Sequence, residues 1–495
     1  MLYAHAPMKS LAGLEKIHRE YGPGRSAAKV EAIRSLQGAQ LPSARAVLRF
    51  HEVLLFLRAF PDDRAVLAAV ERALDKFENR HDLARFRKAL LNSGIAGTDI
   101  RYRFFWPMAR WLAQHWPERL RYSDDAFDDF EPRLRAALPL LVSPLQAEAI
   151  KRTERSTAEI LDRLRGKSTA AAWVVERIES LSASETIREW IHDTIDATYV
   201  LDGGRGGPSR NGVRPLFPVV YRKSAPRRDR PDLSQALEVP PVSVRRVSRS
   251  EGERLIDLAR EAMVTRKRDL DAFTWGNPRD VRVIEENDGL AFAMIGVIPE
   301  KRLPLPAVHG WLTLRNGVPT GYVQSDTLLD TSEVSFNTFE TFRGTDAAHV
   351  FARVLAITHH VLGARSFTIE PYQLGHGNDE GLQSGAWWFY AHLGFRPKDP
   401  KVFSLYRGEL LKMKRNPKHR SSIATLAKLA SSHLYWNESA NAPAILPGVP
   451  QLGLRDPERV AKLLKALARA KAAPDEDKSL EGLRKLRSLA RVLTS

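Results

Sequence analysis

The 495-residue chain contains no cysteine. That removes disulfides, dithiol redox chemistry, thiolate metal sites and a cysteine nucleophile together, and it fits a reducing compartment. Long apolar runs are missing as well. The longest are short ones such as LAFAMIGVI at 290–298, far below the roughly 20 residues a membrane-spanning helix requires. The opening MLYAHAPMKS offers no charged leader followed by an apolar core and a small-residue cleavage site, so a soluble, cytoplasmic protein with no membrane span is expected. No internal repeat of fixed period is visible. No metal-ligand spacing occurs either, since His359 and His360 are helix neighbours that point in different directions, and no metal site is expected.

What is present is a folded composition, 43% hydrophobic and 27% charged, in a chain long enough for two to four domains. The formal charge of +17 favours anionic partners, nucleic acid and phosphorylated cofactors among them. Much of that excess is arginine in an Ala/Leu/Arg-rich sequence.

Residues 1–200 read as an α-helical domain. In ARAVLRFHEVLLFLRAF (44–60), Val47, Phe50, Val53, Leu54 and Leu57 recur at three- and four-residue spacing, and DRAVLAAVERALDKF (63–77) repeats the pattern. The tract at 99–120 interleaves Phe104, Phe105, Trp106, Trp111 and Trp116 with Arg101, Arg103 and Arg110. Such a tract either grips single-stranded nucleic acid by stacking or forms a buried helix face, and the second reading is preferred.

Residues 201–240 are rich in Gly, Pro and Arg and read as a linker, with Arg227, Arg228 and Arg230 either solvated or in contact with phosphate. From 241 to 412 strand and helix periods alternate. VSVRRV (242–247) suits a strand and EGERLIDLAREAM (251–263) a helix, while GWLTLRNGVPTGYVQ (310–324) reads as two strands joined at Asn316-Gly317, a pair that tolerates positive φ. EVSFNTF (333–339) is a strand, AAHVFARVLAITHHVLG (347–363) an amphipathic helix stopped by Gly363, SFTIE (366–370) a short strand and KVFSLYR (401–407) a last one. Residues 413–495 read as a basic helical tail, with amphipathic runs at 456–472 and 479–493.

Two segments carry a family resemblance. TFRGTDAAHVF (341–351) looks like a pyrophosphate-binding loop of the form Q/R-x-x-G-x-G/A, and AWWFYAHLGF (386–395) is similar to an A-x-x-x-Y-x-x-L-G-F helix and turn. In this order of elements, residues 240–410 resemble the GNAT superfamily of acyl-CoA-dependent N-acetyltransferases. The resemblance implies an α+β fold with a central mixed sheet and flanking helices, preceded by an all-α N-terminal domain and followed by the helical tail. It further implies acetyl-CoA or another acyl-CoA as cofactor, held by Phe339, Thr341, Arg343, Gly344, Thr345, Asp346, Ala347 and Ala348. Tyr390 matches the tyrosine that protonates the departing thiolate, and a phenol with an ordinary pKa near 10 has a proton to give at neutral pH. Glu340 and Glu370, at the ends of strands, are the candidate bases.

The loop has its own physics, because a strand that turns tightly into a helix presents unpaired amides and the positive end of the helix dipole. Small residues there let a pyrophosphate approach the backbone. Asp346 stands where the family pattern has a glycine. Its carboxylate either faces the ligand, at a cost of about 1 kcal/mol in a water-like medium and about 3 at an effective dielectric of 20 for a 5 Å separation, or caps the helix and turns away. Acylation of an amine of unknown class is therefore the expected activity. The alternative is a catalytically inactive module of the same fold in a basic protein that binds nucleic acid or another protein.

Overall fold

The computed structural model describes residues 10–204, 206–212, 218–303, 306–328 and 330–437. It is a mixed α+β structure that divides into two compact units, one of residues 1–216, 221–224 and 257–274, the other of 217–220, 225–256 and 275–495. No helix among the described residues is long and apolar enough to cross a membrane.

The first unit is largely helical. Its helices at Ala44–Ala59 and Arg64–Asp75 start where Ser43 and Asp63 accept hydrogen bonds from the amides of Ala46 and Val66, as side-chain caps require. The unit is not all-α, however: Ile100–Tyr102, Tyr199–Leu201 and Leu120–Tyr122 form a three-stranded antiparallel sheet. The tract at 99–120 thus splits into strand, helix (Trp106–His115) and strand. Its alternating Ile100-Arg-Tyr102 and Leu120-Arg-Tyr122 have a strand period that the surrounding helical pattern masked. Phe104, Trp106 and Trp111 are buried, the Trp106 indole donating to Glu185 at 2.9 Å, while Arg110 pairs with the same carboxylate at 3.1 Å. Those three rings are core, whereas Phe105 is exposed and Trp116 half-buried.

The second unit is built on a nine-stranded sheet. Its strands are β1 (Ser243–Arg246), β2 (Gly276–Glu285), β3 (Leu290–Val297), β4 (Ala307–Arg315), β5 (Val318–Leu328), β6 (Thr331–Thr338), β7 (Ser366–Ile369), β8 (Arg396–Pro397) and β9 (Leu434–Asn437). From β1 to β6 each strand lies antiparallel beside the next. The β4–β5 turn is the Asn316-Gly317 pair, both at positive φ (49° and 79°), which matches the twist of the flanking strands. β7 then pairs parallel to β6, and β9 inserts between β7 and β8.

A parallel neighbour needs a crossover connection. Here it is the helix α2 (Ala347–Ile357); α1 (Leu233–Leu237) packs on it from residues read as linker, and α3 (Ala386–His392) and α4 (Pro400–Arg415) follow β7. α2 buries Val350, Phe351, Val354 and Leu355 against Val323, Val334 and Phe336 of the sheet. Arg353 on its other side holds the carbonyls of Ala236, Val239 and Pro240 and the Glu286 carboxylate.

Two expectations fail here. KVFSLYR is not a strand but the start of α4: Pro400 occupies the first helical turn, Asp399 caps it, and Val402, Tyr406 and Glu409 recur with helical spacing on the buried face. The region after 412 is not helical throughout either, since Leu434–Asn437 is the strand β9, sandwiched in the sheet. The amphipathic runs at 456–472 and 479–493 lie outside the described residues.

Candidate functional site

β6 and β7 stay together for only three residue pairs, Thr331–Ser366, Ser332–Phe367 and Glu333–Thr368. Beyond them Val334–Thr338 have no strand partner on that side among the described residues, because β7 ends at Ile369 and Pro371 starts a helical turn without an amide hydrogen to offer. The two strands therefore part, and what bridges the gap is a long hydrogen bond from Ser335 Oγ to Glu370 Oε1, 3.4 Å. Peptide groups along the outer edge of β6 face this opening.

The turn after β6 delivers the chain to α2. Glu340–Phe342 form one turn of 3-10 helix, Gly344 adopts φ +72°, and Thr345 Oγ1 donates to Phe342 O at 2.7 Å. Asp346 is the residue before the helix but its side chain makes no capping bond. It pairs instead with Arg315 at the end of β4, Nη2 to Oδ2 2.5 Å, the guanidinium buried and the carboxylate 11% exposed. Of the two readings of Asp346 made from the sequence, the cap does not hold, since the side chain makes no capping bond, and the charge of the carboxylate is met by a guanidinium. The first-turn amides of Ala347, Ala348 and His349 are left without a side-chain cap, beside the positive end of the helix dipole. Arg343, exposed, pairs across the turn with Glu380 of the 371–385 segment. Phe339 is buried with its ring 5.9 Å from that of Tyr322, and Thr341 is half-buried within the 3-10 turn.

Tyr390 lies on the buried side of α3. Its ring meets Phe351, one turn into α2, at 5.3 Å, and packs against Phe389 and Phe395. Phe389 in turn stacks on Phe336 of β6. The aromatic run at 387–390 is thus divided by the helix: Trp387 and Tyr390 face the core, Phe389 faces the opening strand, and half-buried Trp388 donates to Ser421 Oγ at 3.1 Å. Among the described residues the Tyr390 hydroxyl takes no hydrogen bond. Burial, reinforced by the negative charge of Glu370, pushes this phenol well above its ordinary range, so it keeps its proton at neutral pH.

Of the two candidate bases the structure places one at the opening. Glu370 stands there with Ser335 and is coupled to carboxylates that the sequence reading missed, Glu333 on β6 and Asp326 on β5, on the face of the sheet opposite the α2-facing residues. Burial first, then the charges of Glu333 and Glu370, lift Asp326 to about 6 against a hydrogen bond from Gln324. Burial and Glu333 likewise raise Glu370, while His433 approaches Glu333 at 3.4 Å. Glu340, by contrast, is exposed in the 3-10 turn and forms no side-chain hydrogen bond or ion pair among the described residues. The alternation Gln324-x-Asp326 and Glu333-x-Ser335-x-Asn337 was the available signal for the missed pair. It needs the strand register, Asp326 opposite Glu333, to acquire meaning.

Comparison of the chain with models of protein families, with curated proteins and with solved structures finds no match.

Proposed function

We propose that the second unit is an acyl-CoA-dependent N-acyltransferase acting on a cationic amine, acetyl-CoA being the expected donor. The observation that carries the reading is the parting of β6 and β7 beside the Gly344 turn, with Tyr390 and Glu370 at the same opening. The turn fits a pyrophosphate: a positive-φ glycine, small residues, uncapped amides and a neutralised Asp346.

The thioester supplies an activated acyl carbon. Glu370 and Asp326 attract the acceptor as an ammonium ion and take its proton, which leaves the amine lone pair free. Peptide N–H groups along Val334–Thr338, which have no partner strand on that side among the described residues, would hold the carbonyl oxygen as charge grows on it. The C–N bond forms, the nitrogen releases its second proton to solvent as the C–S bond breaks, and the Tyr390 hydroxyl gives its proton to the departing sulfur, to be restored from solvent.

A second reading keeps the fold without the catalysis. What favours it is the near-complete burial of Tyr390, 3% exposed among phenyl rings, and the Arg343–Glu380 pair across the turn. Titration with acetyl-CoA separates the two. Binding at 100 times Kd stabilises by about 2.7 kcal/mol, and amine-dependent release of free thiol should accompany it. Binding without turnover on any of a panel of amines, or no thermal shift at millimolar acetyl-CoA, defeats the acyltransferase and leaves the inactive module.

A further inference from the structure

The outer face of α4 presents cations that the fold does not use. Lys401, Arg407, Lys414 and Arg415 are exposed along it, and Lys418 follows in the next turn. None of the five has an acidic partner or a side-chain hydrogen bond among the described residues. The acids nearest in sequence are occupied: Asp399 caps the helix by accepting from the amides of Lys401 and Val402, and Glu409 is turned inward, where Lys412, His419 and Ser421 surround its carboxylate.

Helix stability accounts for only part of this pattern. Cations in the last turn, Lys414 and Arg415, complement the negative end of the dipole, but Lys401 sits in the first turn, where a positive charge is unfavourable, and Arg407 sits mid-helix. From Lys401 to Arg415 the row extends about 21 Å at 1.5 Å per residue, a length over which a nucleic-acid duplex carries about twelve phosphate charges. A single-stranded partner would need a series of stacking rings, and on this face Phe403 alone is offered, 39% exposed.

We propose that the outer face of α4 docks on the phosphate backbone of a nucleic-acid duplex, through charge and without reading bases. This surface is independent of the acyltransferase reading. The test is fluorescence anisotropy of the full chain with a mixed-sequence duplex between 50 and 200 mM salt. Wild type should bind, and the triple variant R407Q/K414Q/R415Q, melting like wild type, should bind at least about tenfold more weakly at 100 mM salt, with a log–log salt slope shallower by about 2.7, three charges at 0.9 each. A control triple, K151Q/R152Q/R155Q, removes as much charge from the first unit and should leave the slope unchanged. The proposal is overturned if the duplex does not bind, if the control triple weakens binding as much as the α4 triple, or if the α4 substitutions release the chain from anionic lipid vesicles or poly-glutamate while duplex binding is untouched.

Discussion

Replacing Arg315 by methionine tests whether Asp346 is held harmless by its partner. Arg315 is buried and Asp346 largely withdrawn from solvent, and the guanidinium also donates to Asp288 O at 3.0 Å. Methionine fills much of the same volume but leaves an uncompensated carboxylate at the α2 terminus. Breaking one partner of a buried ion pair costs about 3–5 kcal/mol. A unit of this size loses roughly 2–4 °C per kcal/mol, so its calorimetric transition should fall by at least about 6 °C. Hydrogen exchange over residues 347–357 would show the loss localised to α2. Adding Asp346→Asn to Arg315→Met removes the stranded charge and should recover more than half of the shift. A single variant melting within about 2 °C of wild type, or a double variant no better than the single, would refute the claim that this ion pair neutralises the turn.

Three further outcomes follow from the same site. Tyr390→Phe removes a hydroxyl that has no hydrogen-bond partner among the described residues, so stability should change by less than about 1 kcal/mol, while kcat for acyl transfer falls about a hundredfold with KM for the donor unchanged; equal turnover would remove the tyrosine from the reaction. Asp326, whose pKa is raised from 3.8 to about 6, binds its proton more tightly folded than unfolded. Its contribution is therefore fully present below pH 3.8 and is lost as pH rises through about 6, on the order of 3 kcal/mol. Asp326→Asn should raise the melting temperature at pH 8 and flatten the decline between about pH 4 and 6 relative to wild type, and a destabilised variant at pH 8 would contradict the sign. Gly321→Ala would bring a methyl to 2.3 Å from Asn337 O across β5–β6. It should cost about 1–3 kcal/mol in thermal denaturation, and a neutral result would mean that β6 gives way easily.

The legible parts of the fold were those written in short-range chemistry. Asn316-Gly317 announced its hairpin because few residue pairs accept two positive φ values, and the helix after Gly344 announced itself by its apolar stripe and its stop at Gly363. β2 was not legible, since GNPRDVRVIE places Asp280 and Arg282 in the interior, where a polarity pattern expects solvent. α4 was misread because Val402, Leu405 and Tyr406 mimic a strand until the capped Asp399-Pro400 start is weighed. At the candidate site, Tyr390, Glu370 and the Gly344 turn came from linear segments. Asp326, Glu333 and Arg315 did not, because each acts only through a residue on another strand or helix: Asp326 with Glu333 through register, and Arg315 with Asp346 across 31 positions of sequence.

The insertion of β9 between β7 and β8 sets an order of events during synthesis. When Ile369 has been added, the wall formed by β7 has a companion on one flank and a bare row of amides and carbonyls on the other, of the kind that recruits foreign strands. Its second companion is completed only at Asn437, 68 residues later. At 5–20 residues per second that interval is about 3–14 s. For those seconds the nascent chain carries an unfinished crevice, which makes the half-made sheet the stage at which a chaperone has most to protect.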